Sequence, residues 1–338
     1  MKQTTAGPVL VMGAGAIGCH LGGSLQVAGA SVVFVGRARV LAALRAQGLT
    51  LTDLNRHRAH IPAAALALHD AVPAGLAPSL VLLTVKSGAT AAAAAELAAA
   101  LPADTPVVSM QNGLNNAAIA RAAAPALHWV AGMVPFNVAE LGPGHFHRGT
   151  SGALAAQDDP ALRAHAALFT RAGLPLRLHA DLRPVQWGKL LLNLNNPVNA
   201  LSGLPLRRQL MERGYRRCLA ALQDEALSLL DHAGIAPARV AALPPRWLPT
   251  LLRLPTPLFR LLAARMLRID ANARSSMADD LAAGRPTEID ALCGEVVRLA
   301  LARGLRAPLN ARMVAAVQSA QPGDAAMSAR KMTLFLGI

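Results

Sequence analysis

The sequence is poor in aromatic residues, in cysteine and in acidic side chains. Aromatics are 3% of the 338 residues, and no RNA-binding motif built on exposed rings can be found among them. The three cysteines, Cys19, Cys218 and Cys293, stand far apart with no Cys-x-x-Cys or Cys/His pairing. That spacing excludes a disulfide framework and a zinc site, so buried or idle thiols and no bound metal are expected. Asp and Glu number 19 against 33 Lys and Arg, a formal net charge of +14. Such an excess ordinarily points to nucleic acid or an anionic membrane. Here it is mostly arginine spread along the chain, without a basic block or zinc-finger spacing. No nucleic acid is expected, and a small anionic ligand accounts for part of the charge. The most apolar stretch, residues 251–269, is interrupted by Arg253, Arg260, Arg265, Arg268 and two prolines, which a bilayer centre accepts only at high cost. The N-terminus runs into a strand without an h-region or cleavage site. A soluble cytoplasmic protein without a membrane partner is expected.

What the chain has in quantity is alanine and leucine within a 53% hydrophobic composition, which favours helices around a modest sheet. Its length suggests two domains sharing a cleft. Short apolar runs alternate with helical patterns in the first half, the pattern of a parallel sheet wrapped by helices. Strands are expected at 8–12, 31–35, 80–85, 106–110 and 128–132, with helices at 16–28 and 90–101. Residues 133–156 read as antiparallel additions to the same sheet. From Asp181 onward the strands stop, and a helical domain follows, broken by a proline-rich passage near Trp247.

The first strand and helix are joined by Gly13-Ala14-Gly15-Ala16-Ile17-Gly18. In a G-x-G-x-x-G placed there, the first glycine makes a tight turn, the second admits a pyrophosphate and the third packs helix on strand. The helix N-terminus offers free N–H groups to the phosphates. The fold class expected is therefore α/β: an N-terminal Rossmann-type dinucleotide-binding domain, residues 1–180, followed by an all-helical C-terminal domain, residues 181–338. The second strand ends in "VGRAR", where an NAD-selective site places Asp or Glu. Arg37, helped by Arg39, suits a 2′-phosphate instead, which favours NADPH/NADP+.

Lys86 follows one strand in "LLTVKSG" and Asn112 follows the next in "VVSMQNG". Both are candidates for contacting cofactor or substrate, because strand carboxyl ends form the ligand crevice of open α/β sheets. In "VQWGKLLLNLNNPVNALSG", Lys189 and Asn193 share a helical face, and three asparagines follow in an apolar context. Buried asparagine needs a polar partner, and an ammonium beside it can stabilise and protonate an oxygen that gains charge as hydride arrives at its carbon. Further on, "ARSSMADDLAAGRPTEID" offers Ser276 and, twelve residues later, Glu288. The serine could equally cap a helix. Gly284 and Pro286 interrupt that helix, so the chain is expected to turn before Glu288.

Taken in order, GAGAIG, VKS, QNG, WGKLLLN, RSSM and PTEID make the chain resemble the ketopantoate reductase (2-dehydropantoate 2-reductase) family over nearly its whole length. The resemblance implies NADPH-dependent reduction of a small 2-keto acid, ketopantoate, to pantoate in pantothenate and coenzyme A biosynthesis, by a monomer or homodimer. It implies Lys189 as proton donor, Asn193, Asn196 and Ser276 as substrate contacts, and Lys86 and Asn112 holding cofactor and substrate. Glu288 is associated with the cofactor and the closed site, and Gly13 to Gly18 hold the pyrophosphate. Asn196 is one residue short of the family spacing from Lys189, which leaves Asn195 open. An asparagine that precedes the SSM motif in the family is displaced to Asn272, and the insertion from Trp247 to Arg268 lengthens the helical domain. A related 2-keto acid reductase, a β-hydroxyacid or 6-phosphogluconate-type dehydrogenase, and an NADPH-binding protein without turnover are the alternatives.

Overall fold

A computed structural model describes residues 7–240, 243–264, 267, 270 and 273–338. The chain forms two compact units, Met1–Leu182 and Arg183–Ile338. In chain order the first contains Val9–Met12 (β1), Ala16–Val27 (α1), Val32–Val35 (β2), Ala38–Gln47 (α2), Leu49–Asp53 (β3), Arg58–Ile61 (β4), Ala67–His69 (β5), Leu80–Leu83 (β6) and Thr90–Ala100 (α3). Pro106–Ser109 (β7), Asn116–Ala123 (α4), His128–Met133 (β8), Val138–Gly142 (β9), His145–Arg148 (β10), Leu154–Gln157 (β11), Pro160–Arg171 (α5) and Leu176–His179 (β12) complete it.

Every residue of β1, β2 and β6 is buried, because both faces of a parallel sheet are covered. Alternate residues go to opposite sides. Val9, Val11, Phe34 and Leu82 join Leu21, Leu25 and Phe169 of α1 and α5, while Leu10, Met12, Val35 and Leu83 join Ala94, Leu97 and Ala120 of α3 and α4. The strand order is β12-β11-β8-β7-β6-β1-β2-β5, with β5 to β8 mutually parallel. The order reverses between β1 and β6, so the ligand crevice of such a sheet lies beyond Met12 and Leu83.

Residues 133–156 depart from expectation. Only β11 extends the main sheet, antiparallel to β8. Strands β9 and β10 leave it and join β3 and β4 in a second sheet, ordered β4-β3-β10-β9. The reason is the flank of α1: a Cβ on Gly23 would stand 2.7 Å from Leu49 and 3.0 Å from Leu51, so a bare helix surface there receives the apolar side of the small sheet.

The second unit has no strand among its described residues. Its helices are Arg183–Asn193 (α6), Asn195–Ser202 (α7), Leu206–Met211 (α8), Arg213–His232 (α9), Leu248–Arg253 (α10), Thr256–Leu262 (α11), Ser276–Ala282 (α12), Ile289–Ala302 (α13), Pro308–Ser319 (α14) and Ala329–Leu336 (α15). Helix α9 is the hub, touching α7, α8, α10, α13, α14 and α15. Its fully buried Arg216 donates to the carbonyls of Leu210 (2.8 Å), Leu252 (3.0 Å) and Leu254 (2.9 Å) and lies 4.3 Å from the Phe259 ring centroid. These carbonyls end α8 and α10, where unpaired acceptors and the negative dipole end receive a cation. The part of the proline-rich insertion around Leu252, Leu254 and Phe259 is thereby pinned to the hub. Arg265, Arg268 and Asn272 lie outside the described residues. The three cysteines are free and buried, and no described helix is long and apolar enough to cross a membrane.

Candidate active site

In the first unit, the three glycines after β1 meet three different environments. Gly13 has φ +111°, and a Cβ there would lie 2.6 Å from the backbone nitrogen of Val85. A Cβ on Gly18 would lie 2.2 Å from the Gly13 carbonyl oxygen. Gly15 is exposed, and a Cβ on it would meet nothing within 4 Å. The turn is held by the Val35 carbonyl, which accepts from Gly13 (2.9 Å) and Ala14 (2.8 Å). The Thr84 hydroxyl donates to the Gly13 carbonyl at 2.7 Å. No side chain caps α1 at Gly15, and its first turn, beginning Ala16-Ile17-Gly18, has no acidic residue. The result is an open, positively polarised helix end beside a glycine with room above it, which fits a dinucleotide pyrophosphate.

A Cβ on Gly36 would lie 2.6 Å from that of Ala14, so the exit of β2 runs against the glycine loop. Arg37 follows as the exposed N-cap of α2. Arg39 is also exposed, but both its terminal nitrogens bond Glu140 on β9, at 2.9 and 3.1 Å.

Lys86 and Asn112 leave the adjacent strands β6 and β7, and the two exits are laced together. The Ser87 hydroxyl donates to the Asn112 carbonyl at 2.9 Å, and the Asn116 amide donates to the same oxygen at 2.6 Å. Buried Gln111 donates to the Val85 carbonyl and to the Thr90 hydroxyl, both at 2.8 Å, and accepts from Ser109 at 2.8 Å. The bonds from Ser87 to Asn112 and from Gln111 to Val85 and Thr90 join the two exits, and those from Ser109 and Asn116 brace the second one locally, so the loop backbones are fixed. Thr84, Ser87, Thr90, Gln111 and Asn116 were not singled out from sequence, although the signal, hydroxyls and amides at the ends of apolar strands, is present in "LLTVKSGAT" and "VVSMQNGLNN".

In the second unit, Lys189 lies on α6 next to Gly188, where a Cβ would stand 2.2 Å from the Ala238 carbonyl oxygen. The segment at Ala238 therefore packs directly on the helix, and its N–H donates to the Pro184 carbonyl at 2.7 Å. Burial lowers the Lys189 ammonium to a pKa of about 8, because a desolvated site disfavours the charged form. Asn193 ends α6 one turn further on. Buried Gln223 of α9 donates to the Leu191 carbonyl at 2.9 Å, fixing that last turn.

The asparagines after Lys189 divide by role. Asn195 exchanges two amide hydrogen bonds with Gln209, at 3.1 and 3.2 Å. Fully buried Asn199 donates to the Leu204 carbonyl and accepts from the Ser275 N–H, both at 2.9 Å. Asn196 contributes its carbonyl to the Ser275 hydroxyl at 3.4 Å, and its side chain makes no hydrogen bond to a described residue. Ser275, not Ser276, caps α12, accepting from the Ala278 N–H at 3.2 Å. Ser276 is left exposed in the first turn, next in sequence to the Ser275 that bonds the Asn196 carbonyl. Glu288 is on another element: α12 ends at Ala282, Gly284 turns with φ +62°, buried Asp280 binds Arg285 at 3.0 Å, and Glu288 takes the N-cap position of α13.

Comparison with known proteins gives a consistent picture. The family described as "Ketopantoate reductase PanE/ApbA" matches residues 9–160, and its C-terminal counterpart matches residues 181–321. The 2-dehydropantoate 2-reductase of Caulobacter vibrioides is 30% identical over 258 residues, which are 73% of this chain and 80% of that one. The crystal structure of a PanE/ApbA family ketopantoate reductase from Ralstonia eutropha JMP134 superposes with a TM-score of 0.76 at 29% identity, covering 92% of this chain and 97% of the other. A D-mandelate dehydrogenase in ternary complex with NADH and anilino(oxo)acetate shares the fold, with a TM-score of 0.75 at 19% identity over 92% of this chain and 97% of its own.

Proposed function

The chain belongs to the ketopantoate reductase family, and we propose that it reduces 2-dehydropantoate to pantoate with NADPH, in the supply of pantothenate and coenzyme A. When bound, reduced nicotinamide supplies the hydride. The chain does the rest. The α1 N-terminus and the open face of Gly15 receive the pyrophosphate, Arg37 pairs with the 2′-phosphate, and Lys86 and Asn112 hold cofactor and substrate. Asn193, Asn196 and Ser276 bind the keto acid, Glu288 orients the cofactor side of the site, and Lys189 hands its proton to the carbonyl oxygen as negative charge grows there.

The observation that carries this reading is Lys189. Its ammonium is desolvated to a pKa of about 8, and a proton donor works best when its pKa lies near the operating pH. Among the asparagines, Asn196 is favoured over Asn195 as second substrate contact because the Asn195 amide is spent on Gln209.

The deciding experiment incubates the purified protein with NADPH and, separately, ketopantoate, pyruvate, 2-ketoisovalerate and an aromatic 2-keto acid, following absorbance of the reduced cofactor. Ketopantoate is expected to give the highest kcat/KM. Oxidation with none of them would sink the reductase reading, and a clear preference for another acid would reassign the substrate. The pH profile has a definite sign: with the donor lost as the ammonium deprotonates, kcat/KM for reduction should be level below pH 8 and fall as pH rises through about 8. A rate that climbs through that range contradicts Lys189 as the acid.

Cofactor choice follows from Arg37. NADPH should be preferred over NADH, and Arg37→Ala should narrow the preference by a charge-assisted bond's worth, about 1.5–3 kcal/mol. Equal use of both cofactors by the unmodified protein would refute the assignment.

A further inference from the structure

Two arginines follow β2, and they are in different states. Arg37 forms no ion pair with a described residue, whereas Arg39 places both terminal nitrogens on the two oxygens of Glu140, 101 residues away in sequence. The carboxylate is held in place by the small sheet, where Glu140 of β9 pairs with Phe146 of β10, and β9 packs on α1. The negative charge is felt on the cofactor helix itself: burial and then Glu140 push up the thiol pKa of Cys19, in the first turns of α1. A guanidinium forked onto a carboxylate offers little net charge to a second anion. The pair also opens on a surface depression lined by Ala43, Leu141, Gly142 and Pro143, so Arg39 has room to reorient once released.

We infer that Glu140 withholds Arg39 from the cofactor's 2′-phosphate and thereby sets how strongly NADPH is preferred over NADH. The inference rests on the NADPH reading above. Glu140 is a specificity-determining residue that touches no reacting atom; it acts through the arginine it neutralises.

The test is a binding cycle on the full-length protein: Kd for NADPH and for NADH, at one fixed low salt concentration, for wild type, Glu140→Gln, Arg39→Ala and the double variant. Glu140→Gln should tighten NADPH by roughly 3–5-fold and leave NADH within about two-fold, the upper scale of an exposed charge interaction. Arg39→Ala alone should change NADPH binding by less than about two-fold, because the side chain it removes is already engaged. The double variant should lose the gain. Unchanged or weaker NADPH binding in Glu140→Gln overturns the inference, as does a gain that survives in the double variant. Melting temperatures of the variants, with Glu140→Ala as a second removal of the charge, separate a binding effect from a folding one. The wild-type ratio of the two Kd values tests the parent reading independently. A ratio near one removes Arg37 from 2′-phosphate recognition while a gain in Glu140→Gln still supports Glu140, and a wild type that binds neither nucleotide overturns both.

Discussion

Lys189→Ala should lower kcat by roughly 10²–10⁴-fold, the contribution of a positioned general acid, while the Kd for NADPH changes little. On the proposed mechanism the ammonium is needed chiefly in the transition state, where the carbonyl oxygen becomes an alkoxide. Before that point it would meet a neutral carbonyl and be worth much less. Removing it should not disturb the helix that carries it, because α6 is held by contacts made elsewhere: the Ala238 segment against Gly188, and Gln223 on the Leu191 carbonyl. Its charged form is also disfavoured by burial, so alanine there relieves a desolvation cost. A second signature is the pH profile. The fall through about pH 8 should vanish with the side chain, leaving a slow, flatter profile in which water donates. Near-normal turnover by the variant would remove Lys189 from the mechanism, and a matching loss of NADPH affinity would assign it to binding instead.

How much of this could be read from the sequence differs from one part to another. The parallel core was legible because β1, β2 and β6 are short all-apolar runs buried on both faces, and the glycine loop because its G-x-G-x-x-G spacing falls between a strand and a helix. The second sheet was not legible. Strands β3 and β4 mix polar and apolar residues, and β10 pairs in parallel with β3 across more than 90 positions of sequence, a register that no local pattern announces. In the helical unit, the roles of two asparagines depended on partners on other helices or beyond: Gln209, 14 residues on, for Asn195, and Ser275, 76 residues on, for Asn199. Ser275 and Ser276 are chemically identical in sequence, and only the start of α12 decides which caps and which remains available. Of the 33 basic residues only four are lysine, at positions 2, 86, 189 and 331, and two of these are Lys86 and Lys189. For the role proposed for Lys189 the distinction matters, since arginine does not deprotonate in proteins and could not stand in as an acid.

Gly15→Val should abolish most dinucleotide binding, raising the Kd for NADPH by on the order of 100-fold or more, with only a small change in melting temperature. The contrast with its neighbours gives the prediction its force. At Gly13 and Gly18 a side chain would strike the protein itself, 2.6 Å from Val85 and 2.2 Å from the Gly13 carbonyl, so substitution there damages fold and function together. At Gly15 a Cβ meets nothing within 4 Å, and the residue's φ of −94° is open to any L-amino acid. The fold itself therefore gives no steric reason for glycine at this position. The loss of glycine as N-cap costs only about 1 kcal/mol or less. What a valine would occupy is the space over the first turn of α1, where free N–H groups await an anion, and the branched side chain would hold a pyrophosphate away from them. Gly15→Ala, with a single methyl, should fall between wild type and valine. A Gly15→Val protein that melts normally and still binds NADPH as wild type does would mean that the open face over α1 is not the pyrophosphate site. A protein that loses binding only because it has unfolded would show instead that the position serves the fold.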